Sequence, residues 1–272
     1  MYENNTQNSD TRLIDEALTS EPIKNTFRLG WEFIKLNQKF TLTAMIIFVV
    51  LNLFGMIPIA SLIFMVLSAV FGLVIQIHVG KTFYESQDIK SYIHEIKESS
   101  IDKLLTRHVA TAFGAYMGWV VLLLLLMLLF GFIGSSMGII NEQMNEADLL
   151  NALVTLGFPM LLIALVLSYV QPLVQANIIM ANGVQEGFKA VFTLFSARVW
   201  RMALQSSYFK YVAGFGLVII LLLFFFAFIV GLLTSLSGLT IVGNILMVLL
   251  MYIFMLIMAV GSMMAKRTVE LS

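Results

Sequence analysis

The chain has 272 residues, of which 60% are hydrophobic and only 12% are charged. Soluble globular domains carry about 25% charged residues, so the composition excludes a water-soluble fold for most of the chain and also excludes disorder. Sixteen Lys and Arg balance sixteen Asp and Glu, which leaves no basic excess for a nucleic-acid partner. The absence of cysteine excludes disulfides, thiolate metal sites and cysteine nucleophiles.

Six apolar runs predict six membrane-spanning helices, since a span needs about 20 mostly apolar residues. Their approximate ranges are 40–56, 58–79, 109–139, 150–180, 211–234 and 239–265. The first two runs are divided before Pro58, because proline is favoured in the first turn of a helix and disfavoured inside one. The sequence thus predicts a single all-α membrane domain over 20–265. Polar tails flank it at 1–19, which we expect to be flexible, and at 266–272.

The placement of positive charge supports this topology. All sixteen Lys and Arg fall in four segments, which are 1–39, 81–108, 183–210 and 266–272. With six spans these segments share one membrane face, and the turns on the other face contain no Lys or Arg. The positive-inside bias predicts that the basic face is cytoplasmic, with both termini inside. The polar first 39 residues lack the pattern of a cleavable signal peptide.

Each cytoplasmic segment ahead of a pair of spans contains an amphipathic stretch with apolar residues at helical spacing. The apolar positions are Ile23, Phe27, Gly30, Trp31 and Ile34 in the first stretch, Ile89, Tyr92, Ile93 and Ile96 in the second, and Val184, Phe188, Val191, Phe192, Phe195, Val199 and Met202 in the third. Helices of this type lie in the headgroup region of a bilayer. The pattern predicts three units, near 20–80, 88–182 and 183–265, each with an interfacial helix followed by a membrane hairpin.

Six cations on or beside two of these stretches are candidates for contact with anionic lipid headgroups. They are Lys24, Arg28, Lys35, Lys189, Arg198 and Arg201. The alternative is that the stretches are ordinary connecting helices that anchor the bundle.

Two segments carry a resemblance to a known group of proteins. One is FRLGWEFIKLNQKF, which leads directly into a membrane hairpin; the other is YVQPLVQANIIMANGVQEGFKAVFTLF, in which a span with Pro172 runs to Gly183 and into an amphipathic helix. Together they resemble the bacterial six-span proteins around the glycerophosphoryl diester phosphodiesterase membrane domain and the YciC-like proteins. The 272 residues include no soluble phosphodiesterase domain. The resemblance therefore implies a bacterial inner-membrane protein and supplies no catalytic residues.

The predicted spans contain no charged residue. Intramembrane charges mark proton relays and ion pathways, so their absence argues against a proton-coupled pump. The three histidines, His78, His94 and His108, lack the spacing of a metal motif, and no serine has an obvious base in reach. The sequence predicts no catalytic residue, no metal and no cofactor.

Span four carries a polar stripe beside Pro172. Its members are Ser168, Gln171, Gln175 and Asn182, which share one helical face, whereas Asn177 points away. The stripe is a candidate lining for a cavity open to the cytoplasm. The alternative is hydrogen bonding between helices, which is common in membrane proteins.

Span three carries small residues at four-residue spacing. They are Ala110, Gly114 and Gly118, followed by Gly134 and Gly138. Small residues at this interval let helix backbones approach closely. The stripe predicts packing within the bundle, with formation of a homodimer as the alternative.

These features favour a non-enzymatic bacterial inner-membrane protein that associates with lipids, with protein partners or with itself at the cytoplasmic leaflet. The alternative is a permease or exporter for a small uncharged or amphiphilic solute, with span four lining the path.

Overall fold

The computed structural model describes residues 12–138, 146–237 and 240–272, and every regular element in these ranges is helical. The helices are α1 (Leu13–Thr19), α2 (Pro22–Leu36), α3 (Gln38–Gly55), α4 (Ser61–Glu85), α5 (Ile89–Lys97), α6 (Ile101–Ser136), α7 (Glu146–Met180), α8 (Gly183–Phe192), α9 (Ala197–Ala203), α10 (Ser206–Ser237) and α11 (Thr240–Glu270). A 3₁₀ turn, Thr193–Phe195, separates α8 from α9.

Six of the described helices, α3, α4, α6, α7, α10 and α11, are long and apolar enough to cross a membrane. The prediction of an all-α six-span protein is therefore confirmed. Helix α11 lies at the centre of the bundle, where it packs against α4, α7 and α10 and also against α1, α2 and α3. The described part of α10 contacts chiefly α11, so most of its surface is left exposed.

Several helices extend past the apolar runs that predicted them. Helix α4 continues to Glu85 and α6 begins at Ile101, because long charged side chains keep their heads in water while their stems lie along the helix.

The prediction that Pro58 opens the second span is wrong. Pro58 lies in the turn between α3 and α4, and α4 begins three residues later at Ser61.

The short helices and the basic residues gather at one end of the bundle, here named the basic end. It comprises α1, α2, α5, α8 and α9 with the adjoining ends of the six spans. Helix α1 is fixed there by two contacts: the Leu13 amide donates to the Ser86 carbonyl at 3.3 Å, and Arg267 Nε donates to Asp15 Oδ1 at 2.6 Å. Residues 12 and 272 therefore lie at the same end.

The expectation of a flexible tail over 1–19 is wrong for its second half. Residues 13–19 form α1, in which Leu13, Ile14 and Ala17 are buried. Hydrogen bonding to Arg267 holds the pKa of Asp15 below its usual value. The packed domain thus begins before residue 20, whereas residues 1–11 lie outside the described part of the chain.

Helix α7 continues through Pro172, which removes one backbone donor from the helix. Near this point the buried Tyr208 hydroxyl donates to the Tyr169 carbonyl at 2.7 Å, and the Tyr169 hydroxyl donates to the Ala203 carbonyl. The two rings meet edge to face with centroids 5.3 Å apart. This tyrosine pair joins the proline region of α7 to the junction of α9 and α10.

Candidate functional site at the basic end

Helix α2 buries part of the apolar face that the sequence predicted, together with residues outside that face. Leu29 and Phe33 are fully buried, and Gly30 of the predicted face packs closely against Ile257 of α11. Phe27 is partly buried against the core, whereas Trp31 is 57% exposed. Trp31 is therefore the apolar side chain of the predicted face that α2 presents at the surface.

The third amphipathic stretch is two helices and a 3₁₀ turn, not one continuous helix. Its inward side consists of Gly187, Ala190 and Val191, which are buried. Phe188 and Phe192 are half-buried, their ring centroids lie 5.1 Å apart, and Phe192 packs against the core. Small residues thus form much of the buried side of α8, whereas α2 buries the larger Leu29 and Phe33.

The close approach of α8 to the bundle depends on the small residues of α6. A Cβ on Gly114 would overlap the Val184 backbone carbonyl, and one on Gly118 would lie 2.9 Å from Val191 Cγ2. The packing partner of these two glycines is thus α8 of the same chain. Gly134 is buried, whereas Gly138 lies beyond the end of α6 with φ +67°, and none of the described residues comes within 4 Å of its Cβ position.

The six predicted headgroup cations all belong to the basic end, and each of them is exposed. They are Lys24, Arg28 and Lys35 on α2, Lys189 on α8, and Arg198 and Arg201 on α9. Lys24 pairs with Glu21 at 2.6 Å at the surface. Four of these cations share their helices with an aromatic side chain at the surface, the exposed Trp31 on α2 or the half-buried Phe188 on α8.

The polar stripe of span four does not line one cavity. Gln175 is 2% exposed and donates to Gln76 Oε1 of α4 at 2.7 Å, whereas Ser168 is exposed and Gln171 is half-buried. Asn182 lies at the basic end, where its Oδ1 accepts from Lys81 Nζ at 2.9 Å. Asn177 donates to Thr193 Oγ1 at 3.1 Å. In this structure Gln175 makes a contact between helices.

Sequence reasoning missed a polar cleft of about 360 Å³ between α4, α5 and α6. Its lining residues are His78, Lys81, Thr82, Glu85, His94, Glu95, Glu98, Ser99, Lys103, Leu104, Arg107 and His108. The only signal in the sequence was a dense mixture of charge and histidine across 78–108. Such a mixture is also typical of an ordinary solvent-exposed loop between two helices. The cleft forms because α5 folds back beside α4 and α6.

Two histidines form the inner part of this cleft. His78 Nε2 lies 2.7 Å from Ser99 Oγ, and the His78 and His108 ring centroids are 5.7 Å apart. Within the described residues there is no group of three or more His, Cys, Asp or Glu side chains that could hold a metal ion.

The chain matches no known family model, no curated protein and no solved structure. What the fold defines is a multi-pass all-α membrane protein. Its candidate site is the basic end, with the six exposed cations, the exposed Trp31 and a polar cleft.

Proposed function

We propose that this protein is a non-enzymatic protein of the bacterial inner membrane that binds anionic lipids at the cytoplasmic leaflet. The observation that carries the proposal is the surface of α2 and α8 at the basic end. Both helices carry exposed cations beside an aromatic side chain that reaches the surface, which is the exposed Trp31 on α2 and the half-buried Phe188 on α8.

The physical argument joins two forces. Aromatic side chains at the surface of such a helix enter the boundary between headgroups and acyl chains. Each Lys or Arg near an anionic leaflet adds about 1 kcal/mol of attraction. Trp31 with Arg28 and Lys35 supplies both forces from α2, and the half-buried Phe188 with Lys189 adds to them from α8. Protein partners, or a second copy of the chain, would dock on the same surface.

Lipid retention tests the role of these cations. Arg28→Gln with Lys35→Gln removes two of them, and we expect the affinity of the purified protein for phosphatidylglycerol to fall about 30-fold, from ~2 kcal/mol of lost attraction. The matched control is Lys90→Gln with Lys97→Gln, which removes the same charge from α5. Native mass spectrometry during lipid titration gives both affinities. Equal losses in the two pairs would assign the effect to net charge alone and reject the role of α2.

Thiol labelling tests the proposed orientation, because the chain has no cysteine of its own. We expect Ser272→Cys to react with an impermeant maleimide in inside-out vesicles only. Met137→Cys, at the exposed far end of α6, should react in intact spheroplasts only. The reverse pattern would place the basic end outside the cytoplasm.

A further inference from the structure

The cleft between α4, α5 and α6 has an unusual division of charge. The charged residues that α6 contributes to its rim are the cations Lys103 and Arg107, whereas the carboxylates are Glu95 on α5 and Glu98 directly after it. Helix α4 adds one charge of each sign, Lys81 and Glu85. The cleft therefore has a cationic wall and an acidic wall that face each other.

The lysine and arginine side chains of the cleft form no ion pair with its carboxylates. Across the described residues, no Lys or Arg nitrogen of the cleft wall lies within 4.0 Å of a carboxylate oxygen, although His94 Nε2 lies 3.9 Å from Glu98 Oε1. Lys103 Nζ donates instead to the Glu98 backbone carbonyl at 3.4 Å, and Lys81 donates to Asn182. Arg107 makes no hydrogen bond to any described residue, so its guanidinium is available to a ligand.

The inner part of the cleft supplies directional donors. His108 is only 7% exposed, and within the described residues it contacts the His78 ring but makes no hydrogen bond. Because His108 lines the cleft, its ring N–H can donate to a ligand that reaches the cleft floor. The volume of about 360 Å³ falls in the range of small-molecule sites.

We propose that this cleft binds a zwitterionic phosphate–ammonium group, of the kind found in an ethanolamine phospholipid headgroup or in free phosphoethanolamine. The Arg107 fork and Lys103 bind the phosphate, since guanidinium groups bind phosphate oxygens in pairs. His108 donates to a further phosphate oxygen. Glu95 and Glu98 bind the ammonium from the opposite wall. This site is separate from the anionic-lipid surface of α2 and α8, and its occupant carries no net charge when the phosphate is a diester.

The test is calorimetric titration of the purified full chain with O-phosphoethanolamine and, separately, with inorganic phosphate. We expect phosphoethanolamine to bind more tightly. Arg107→Gln and Glu95→Gln should each weaken its binding about tenfold or more, as loss of a charge-assisted hydrogen bond does. Both positions are exposed, so the fold should survive. Lys97→Gln, on α5 but outside the cleft lining, is the control and should change the affinity less than twofold.

A lipid arm identifies the source of the group. If the ligand is a lipid, protein extracted from nanodiscs should retain phosphatidylethanolamine, and either Arg107→Gln or Glu95→Gln should abolish that retention. Binding of the soluble compound indicates a free ligand. Glu95→Gln makes the protein more positive, so it should strengthen the attraction to phosphatidylglycerol while it weakens binding in the cleft. A failure of the cleft proposal can therefore be distinguished from a failure of the anionic-lipid proposal. Equal affinity for inorganic phosphate, indifference to Glu95→Gln, or no binding of either source would overturn the inference.

Discussion

The two halves of the bundle are built differently. In the half next to the basic end, helices interlock through buried side chains such as Tyr208, Tyr252 and Phe83. In the opposite half, the described side chains of α6 and α10 are mostly exposed, as in Leu128 and Phe224. Lipid tails are as apolar as leucine, so exposure there carries no penalty. The comparison indicates that the specific contacts of this fold are concentrated in the basic half.

The largest effect should come from Gly114→Leu. The new side chain would collide with the Val184 backbone, and because backbone cannot move aside locally, we expect a loss of about 3 kcal/mol or more. Gly131→Leu is the matched control in the opposite half, where a Cβ meets nothing within 4 Å. Equilibrium unfolding in mixed detergent measures both. Similar losses at the two positions would break the distinction between the halves.

Tyr208→Phe should be the next largest. It removes the hydrogen bond from the Tyr208 hydroxyl to the part-buried Tyr169 carbonyl, and the loss of one such bond costs about 1–1.5 kcal/mol. Tyr116→Phe provides the control, because the Tyr116 hydroxyl makes no hydrogen bond to a described residue. An unchanged unfolding free energy for Tyr208→Phe would show that the tyrosine pair does not stabilise the proline region.

The Gln175–Gln76 contact should contribute less. A double-mutant cycle of Gln76→Leu and Gln175→Leu should give a coupling of about 0.6–1.7 kcal/mol, the range for hydrogen bonds between membrane helices. Gln175→Cys should also resist an impermeant maleimide, whereas the exposed Asn182→Cys should react. Zero coupling together with fast labelling at 175 would favour a water-filled path, and with it the permease alternative.

The smallest effect should be the pH dependence from Asp15. Arg267 lowers the pKa of Asp15 in the fold. The free energy that the Asp15–Arg267 pair adds to folding is therefore present above the ordinary Asp pKa of about 3.9, and it is lost as the pH falls through the lower pKa of the folded state. Asp15→Asn should cost about 1 kcal/mol at pH 7, and its difference from the parent protein should close in acid. Glu21→Gln, in an exposed pair, is the control. A gap that persists at low pH would reject this ion pair as its source.

The spans could be predicted because a run of about 20 or more apolar residues without a charge is typical of a membrane-spanning helix. Which face of each short helix is buried could not be predicted, because an apolar residue near a membrane surface can pack either against the protein or against lipid. In α2 the sequence suggested the side of Trp31, yet Leu29 and Phe33 are the buried residues. Small residues such as Gly187 decided the packing of α8, and an apolar pattern gives them little weight.

The candidate site was predictable only in part. The cations of α2 and α8 stand out because they recur beside apolar positions. The cleft did not, because Lys81, Glu95 and Arg107 come from three helices, and only the tertiary fold brings them to one space. Gln175 is the opposite case. The sequence shows the polar stripe to which it belongs, but in the structure Gln175 forms a hydrogen bond with Gln76 of a neighbouring helix.

The central position of α11 has a consequence for biogenesis. The ribosome makes this helix after the other five spans, yet four of them, α3, α4, α7 and α10, pack against it, as does α2. These four spans would therefore lack a common packing partner in the bilayer until α11 leaves the translocon. During that interval they are the natural clients of membrane chaperones and proteases, so the lifetime of the nascent protein depends on how soon its sixth span arrives.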